Sequence, residues 1–228
     1  MANSVLLVHS PLVGPSTWAP SAELLRSHGL DVQVPDLTTV AHTSGPMWQA
    51  FVEAAAEDAG KLSGDLAVVG HSGAGVFLPA IAEAVDDRAA SLIFVDAVIP
   101  PASGVHDTPA NIKALLDGQT VDGRLRPWLA WWDDQVVTGL IPDVDERSML
   151  LAEMPSLPRS FYDESVPVPA GWMNRACAYL RLSDAYAAEY ARAAEHDWRR
   201  LAIDADHLAI RTRPAEVVAA IESLLDAT

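Results

Sequence analysis

Leu66-Ala67-Val68-Val69-Gly70-His71-Ser72-Gly73-Ala74-Gly75 is the stretch that decides the fold. Its first four residues form an apolar run of strand length, and the small residues after it permit a sharp turn. A serine at the tip of a tight strand-to-helix turn stands clear of the backbone, and small flanking residues let neighbouring chain come close. Ser72 is therefore the first nucleophile candidate. The string departs from Gly-x-Ser-x-Gly at its fifth place, where Ala74 stands and the glycine follows one residue later.

Working outward, short apolar runs alternate with longer helical patterns on both sides of this turn. That alternation predicts a parallel sheet with helices on both faces. Strands are expected near residues 4–8, 31–34, 65–69, 91–95, 177–182 and 199–203, and helices near 17–28, 46–60, 73–85, 186–195 and 214–226. The last helix opens with Pro214, and Val217, Val218, Ile221, Leu224 and Leu225 recur at helical spacing. The stretch from Pro100 to Trp172 breaks the rhythm. It is rich in proline, tryptophan and acidic residues, offers no clean strand, and is too long for a simple loop.

Polar candidates follow strand-like runs further along the chain. Asp184 comes after Cys177-Ala178-Tyr179-Leu180-Arg181-Leu182, and His207 after Leu201-Ala202-Ile203, which gives the order serine, aspartate, histidine. In this order, and with this turn, the chain resembles the α/β-hydrolase superfamily nearly end to end, from Val5-Leu6-Leu7-Val8 to the helix near 217–225. It looks most like small bacterial esterase-type members. The resemblance implies one α/β domain over residues 1–228, with a mostly parallel sheet flanked by helices. It also implies a helical cap insertion over roughly 100–172 that folds over the active site. Trp128, Trp131 and Trp132, with Leu12 and Trp18, are then candidates to line a substrate pocket. The helical spacing of the three cap tryptophans fits a face turned to a core equally well.

A serine hydroxyl is a weak nucleophile at neutral pH, so a histidine must take its proton and a carboxylate must fix that histidine's tautomer. His207, in a loop just past the last predicted strand, is the candidate base. Asp184 holds the usual family position for the carboxylate. Asp96, which ends the preceding strand in Phe94-Val95-Asp96-Ala97, is the alternative acid. The Gly73 N–H, at the start of the helix, is a candidate oxyanion donor. In the family a second donor comes from a His-Gly-x loop after the first strand. Here the chain reads His9-Ser10-Pro11-Leu12, so the expected donor falls on Pro11, which has no N–H. Ser10 or Leu12 must then supply it, or the second donor is missing.

These residues point to a serine hydrolase acting on a small ester, lactone or thioester through an acyl-enzyme. The His9-Ser10-Pro11 departure keeps two alternatives open. One is a non-hydrolytic enzyme of the same fold, a lyase, cyclase or hydroxynitrile-lyase-like protein using the Ser-His pair as a base. The other is a small-ligand binding protein.

Composition narrows the partners. The 228 residues carry 31 acidic against 15 basic side chains, a formal charge of −16, which disfavours nucleic acid and anionic membranes. The single Cys177 forms no internal disulfide and reads as a core residue. The N-terminus shows neither a basic n-region nor a long apolar run, so a cytoplasmic protein is expected. Asp204, Asp206 and His207 lack further ligands at zinc-like spacing, so no metal is expected, and nothing in the chain calls for a cofactor. The expected partner is a small-molecule substrate, with homodimerisation left open.

Overall fold

A computed structural model describes residues 3–226. The chain begins with β1 (Ser4–Val8), α1 (Ala19–Ser27), β2 (Asp31–Gln33), α2 (Met47–Ala59), β3 (Leu66–His71), α3 (Leu78–Ala84) and β4 (Ala89–Val95). The insertion follows, with β5 (Gly104–His106), α4 (Ala110–Gly118), β6 (Thr120–Val121), β7 (Arg124–Leu125), α5 (Asp134–Leu140), α6 (Val144–Glu153) and β8 (Val166–Val168). The chain then returns to the sheet through β9 (Ala176–Arg181), α7 (Ala187–Glu195), β10 (Arg199–Ala202), α8 (Ala209–Thr212) and α9 (Pro214–Leu225).

Six strands form one parallel sheet in the order β10-β9-β4-β3-β1-β2. Its central strands read as unbroken apolar runs because both of their faces are covered. Leu6, Val8, Val68, Leu92, Phe94 and Tyr179 point to the side packed by α2, α3 and α7. Val5, Leu7, Val69, Ile93, Val95 and Leu180 point to the side packed by α1, α8 and α9. All five apolar residues singled out on the last helix are buried there, each contributing about 1.5–3 kcal/mol of transfer free energy. The strands and helices of the sheet lie within a few residues of their predicted places.

The insertion does contain strands, contrary to expectation. β5 pairs antiparallel with β8 and β6 with β7, in pieces of two or three residues that are too short to show alternation. Glu164 ties the insertion to the core by accepting hydrogen bonds from the backbone N–H groups of Met47 (3.0 Å) and Trp48 (2.8 Å) at the start of α2. A carboxylate suits that end of a helix, where the N–H groups lack intrahelical partners. Cys177 is buried in β9, and burial pushes its thiol pKa up to about 12, so it remains protonated. No helix among the described residues is long and apolar enough to cross a membrane.

Candidate active site

The turn after β3 has the geometry its residues demand. Ser72 adopts φ of 59°, a left-handed conformation that costs a non-glycine residue about 1–2 kcal/mol. A short 3-10 segment, Ser72–Phe77, then leads into α3. The displaced glycine has a steric reason. A Cβ on Gly75 would lie 2.1 Å from the Val98 carbonyl oxygen, whereas Ala74 is accommodated in the core. The Val98 N–H donates to the Ser72 carbonyl at 3.1 Å, so the loop after β4 is fastened directly to the turn.

His207 leaves the β10 side of the sheet and reaches the same place. Its Nδ1 lies 2.7 Å from Asp96 Oδ2, and its ring lines a small cavity together with Ser10, Leu12, Ser72 and Trp128. With Nδ1 protonated toward the carboxylate, Nε2 is left as the free base.

Asp96, and not Asp184 as expected, is therefore the carboxylate that the structure brings to His207. The Asp184 side chain is 97% exposed and pairs with Arg181 at 3.2 Å. The reason lies in how β9 ends. Asp96, at φ of 44° directly after β4, receives the Leu182 N–H (2.9 Å) and Ser183 N–H (3.0 Å) on Oδ1 and the Ser183 hydroxyl (2.6 Å) on Oδ2. The loop after β9 thus supplies hydrogen-bond donors to the carboxylate of the neighbouring strand in place of a carboxylate of its own. Burial alone would raise the pKa of Asp96, but the bonds from His207 and Ser183 outweigh it and hold the carboxyl below its ordinary range.

Two further histidines frame the site without joining it. His71 Nε2 donates to the His207 carbonyl at 2.9 Å, and its ring centroid lies 4.4 Å from that of His207. Burial, helped by the nearby His207, lowers the pKa of His71 to about 3. His9 donates from Nδ1 to the Ser10 carbonyl and accepts the Leu37 N–H on Nε2. Burial lowers its pKa to about 4. Both stay neutral and structural.

The loop after β1 is bent around Ser10. The Leu12 N–H points to Ser10 Oγ at 3.4 Å, which occupies that amide and leaves the hydroxyl proton available. A Cβ on Gly73 would lie 3.5 Å from both Ser10 Oγ and Pro11 Cδ, so the Ser10 hydroxyl stands against the start of the 3-10 segment.

Leu12 and Trp128 line the cavity, and Trp128 lies 6.0 Å from the His207 ring. The other tryptophans do not line it. Trp18 is fully buried behind His71, with its Nε1 donating to the Val8 carbonyl at 3.2 Å. Trp131 packs toward the core and donates to the Arg126 carbonyl, and Trp132 is exposed.

One residue of the site escaped sequence reasoning. Tyr186, just past Asp184, places its hydroxyl 3.1 Å from Ser72 Oγ and stacks its ring on that of His207, with centroids 5.2 Å apart and planes 7° from parallel. No motif marks it. The only hint was its place in the loop after β9, where a functional side chain was expected.

A family model described as the alpha/beta hydrolase family matches residues 5–220. The chain belongs to that family. No curated protein sequence matches it. Solved structures confirm the fold at low identity. An extracellular α/β-hydrolase from a Paenibacillus species, described as sharing homology with tobacco salicylic acid binding protein 2, is 15% identical with a TM-score of 0.76, covering 97% of this chain and 98% of that one. A pyrethroid hydrolase from Sphingobium faniae is 20% identical with a TM-score of 0.75, covering 98% and 97%. Tomato methylketone synthase I, solved with 2-tridecanone, is 15% identical with a TM-score of 0.76, covering 100% and 99%.

Proposed function

We propose that the protein is a serine hydrolase of small, rather apolar esters, lactones or thioesters. One observation carries this reading: Ser72, raised on a left-handed turn, shares a cavity with a histidine whose Nδ1 is held by a buried carboxylate. In the proposed reaction, His207 Nε2 takes the Ser72 proton as Oγ bonds the substrate carbonyl carbon. Asp96 keeps the imidazole in the needed tautomer and stabilises its charged form. The oxyanion is met by the Gly73 N–H and by the Ser10 hydroxyl, which takes over from the amide that Pro11 lacks. The imidazolium then protonates the leaving group, and water resolves the acyl-enzyme through the same base.

The insertion acts in this scheme as a cap. With Trp128 against His207, the cavity holds only about 20 Å³, room for about one water. A substrate is admitted when the cap moves. Leu12, Val13, Trp128 and Leu208 give the cavity apolar walls, which suits an uncharged acyl group. A second reading, base-only chemistry by the Ser72–His207 pair, draws support from Pro11, since a reaction without a tetrahedral oxyanion needs no second backbone donor.

The test is the intact mass of wild type and Ser72→Ala after treatment with a small fluorophosphonate. One adduct on wild type and none on the variant is expected. An unlabelled wild type would sink the nucleophile reading.

A further inference from the structure

Ser72 Oγ hydrogen-bonds the Tyr186 hydroxyl, while the Tyr186 ring lies flat against the imidazole of His207. A single side chain thus touches the attacking oxygen and is stacked on the base that must later deliver a proton. We propose that Tyr186 is a catalytic residue whose hydroxyl hydrogen-bonds the leaving oxygen of the substrate as its bond to the acyl carbon breaks, an assignment that rests on the serine-hydrolase reading above.

In the proposed reaction the carbonyl oxygen becomes an oxyanion between Gly73 and Ser10, which stand together at the start of the 3-10 segment. The leaving oxygen must instead lie near His207 Nε2, because that nitrogen protonates it. Tyr186 comes from the β9 loop, lies parallel to the imidazole and ends at Ser72 Oγ, so in the proposed complex its hydroxyl meets the substrate on the histidine's side. In the resting site it is bonded to Oγ. When Oγ swings to His207 and bonds the substrate, the phenolic O–H loses that partner and the leaving oxygen takes its place.

The balance is simple. The Ser72 proton passes to His207 Nε2, the Oγ–C bond forms, and the C–O bond to the leaving group breaks with its electron pair on oxygen. That oxygen receives the proton from His207, and Tyr186 keeps its own proton throughout. Burial and the carboxylates of Asp96 and Glu189 push the Tyr186 pKa up, against the bond from Ser72, to about 12, so the phenol is an intact donor at neutral pH.

Tyr186→Phe keeps the stack and removes only the hydroxyl. The readout is the ratio of hydrolysis rates for an alkyl ester, whose alkoxide leaves poorly, and the matching p-nitrophenyl ester, whose phenolate leaves unaided. Both rates come from one preparation, so any misfolded fraction cancels. The variant is expected to lose about ten- to hundredfold on the alkyl ester, the size of one hydrogen bond to a charging oxygen, and to change little on the p-nitrophenyl ester. An equal loss on both esters, or none on either, would overturn the assignment of Tyr186 while leaving the serine-hydrolase reading intact. A wild type that hydrolyses neither overturns both.

Discussion

His207 Nδ1 and Asp96 Oδ2 lie 2.7 Å apart, across the ends of two strands that are not adjacent in sequence. The carboxylate is fully buried, and three donors from the β9 loop hold it in addition to the imidazole. Its worth to the site is therefore geometric as well as electrostatic.

That arrangement predicts unequal effects of two matched substitutions. Asp96→Asn puts a donor where His207 and Ser183 both present donors, so the imidazole loses its orientation. The expected fall in kcat is about a hundred- to ten-thousandfold, as for the orienting aspartate of other triads. Asp184→Asn removes only an exposed pair with Arg181 and should leave kcat within about twofold. Comparable losses in steady-state assays of the two variants would show that Asp96 is not the orienting acid.

The turn around Ser72 makes a steric prediction. Alanine at Gly75 drives a methyl group into the Val98 carbonyl, a backbone atom that cannot rotate away. A cost of about 2–3 kcal/mol is expected, visible as a melting point lower by about 4–12 °C for a domain of this size. Alanine at Gly73 meets Pro11 and Ser10 at ordinary contact distance, 3.5 Å, and should melt close to wild type. Equal melting points for the two variants would contradict the packing described here.

Acid should unfold the protein earlier than its carboxylates alone would dictate. His9 and His71 are held neutral by burial, with pKa lowered from 6.5 to about 4 and about 3. Below pH 6.5 the unfolded chain takes up protons that the folded chain excludes, so stability falls as pH drops from there toward 4, at up to about 2.7 kcal/mol per pH unit for the two sites. Glu189, raised by burial, works in the opposite sense, and Asp96 adds its loss only as pH falls below 3.8. Thermal melts from pH 7 to pH 4.5 should show a steady decline. A flat profile would mean that one or both histidines are protonated in the fold.

The sheet could be read from the sequence because its strands are buried on both faces, and burial writes continuous apolar runs such as Leu66–Val69 and Leu92–Val95. Ser72 and His207 were picked out for a related reason: Ser72 directly follows β3 and His207 lies in the loop past β10, where polar side chains gather at one edge. The choice of acid was not legible. Asp96 and Asp184 both end neighbouring strands, and what separates them is the φ of 44° at Asp96 and the donors converging on it from Leu182 and Ser183. Those are tertiary facts with no local signature. Tyr186 and the separate fates of Trp18, Trp128, Trp131 and Trp132 belong to the same class, since residue type reports a wish for burial and not the neighbour that satisfies it.

The insertion is fastened to the loop after β1 by Glu153 of α6. Its carboxylate accepts the Ser16 N–H at 3.2 Å and the Ser16 hydroxyl. Gly14 makes room for it, since a Cβ there would lie 2.3 Å from Glu153 Cδ. Nearby, Arg211 binds the Ser16 carbonyl at 2.6 Å and pairs with Glu146 of α6 at 2.5 Å. In the proposed scheme the cavity has no room for a substrate, so reaction is gated by the fraction of molecules in which the insertion has moved away. Glu153→Ala removes two bonds from the closed state and leaves the Ser72–His207–Asp96 geometry untouched. A loss of about 1–2 kcal/mol of closure raises a minor open population about five- to thirtyfold. Fluorophosphonate labelling of Ser72 should accelerate by that factor. An unchanged or slower rate would mean that the cap opens along another seam, or that Ser72 is reached without its moving.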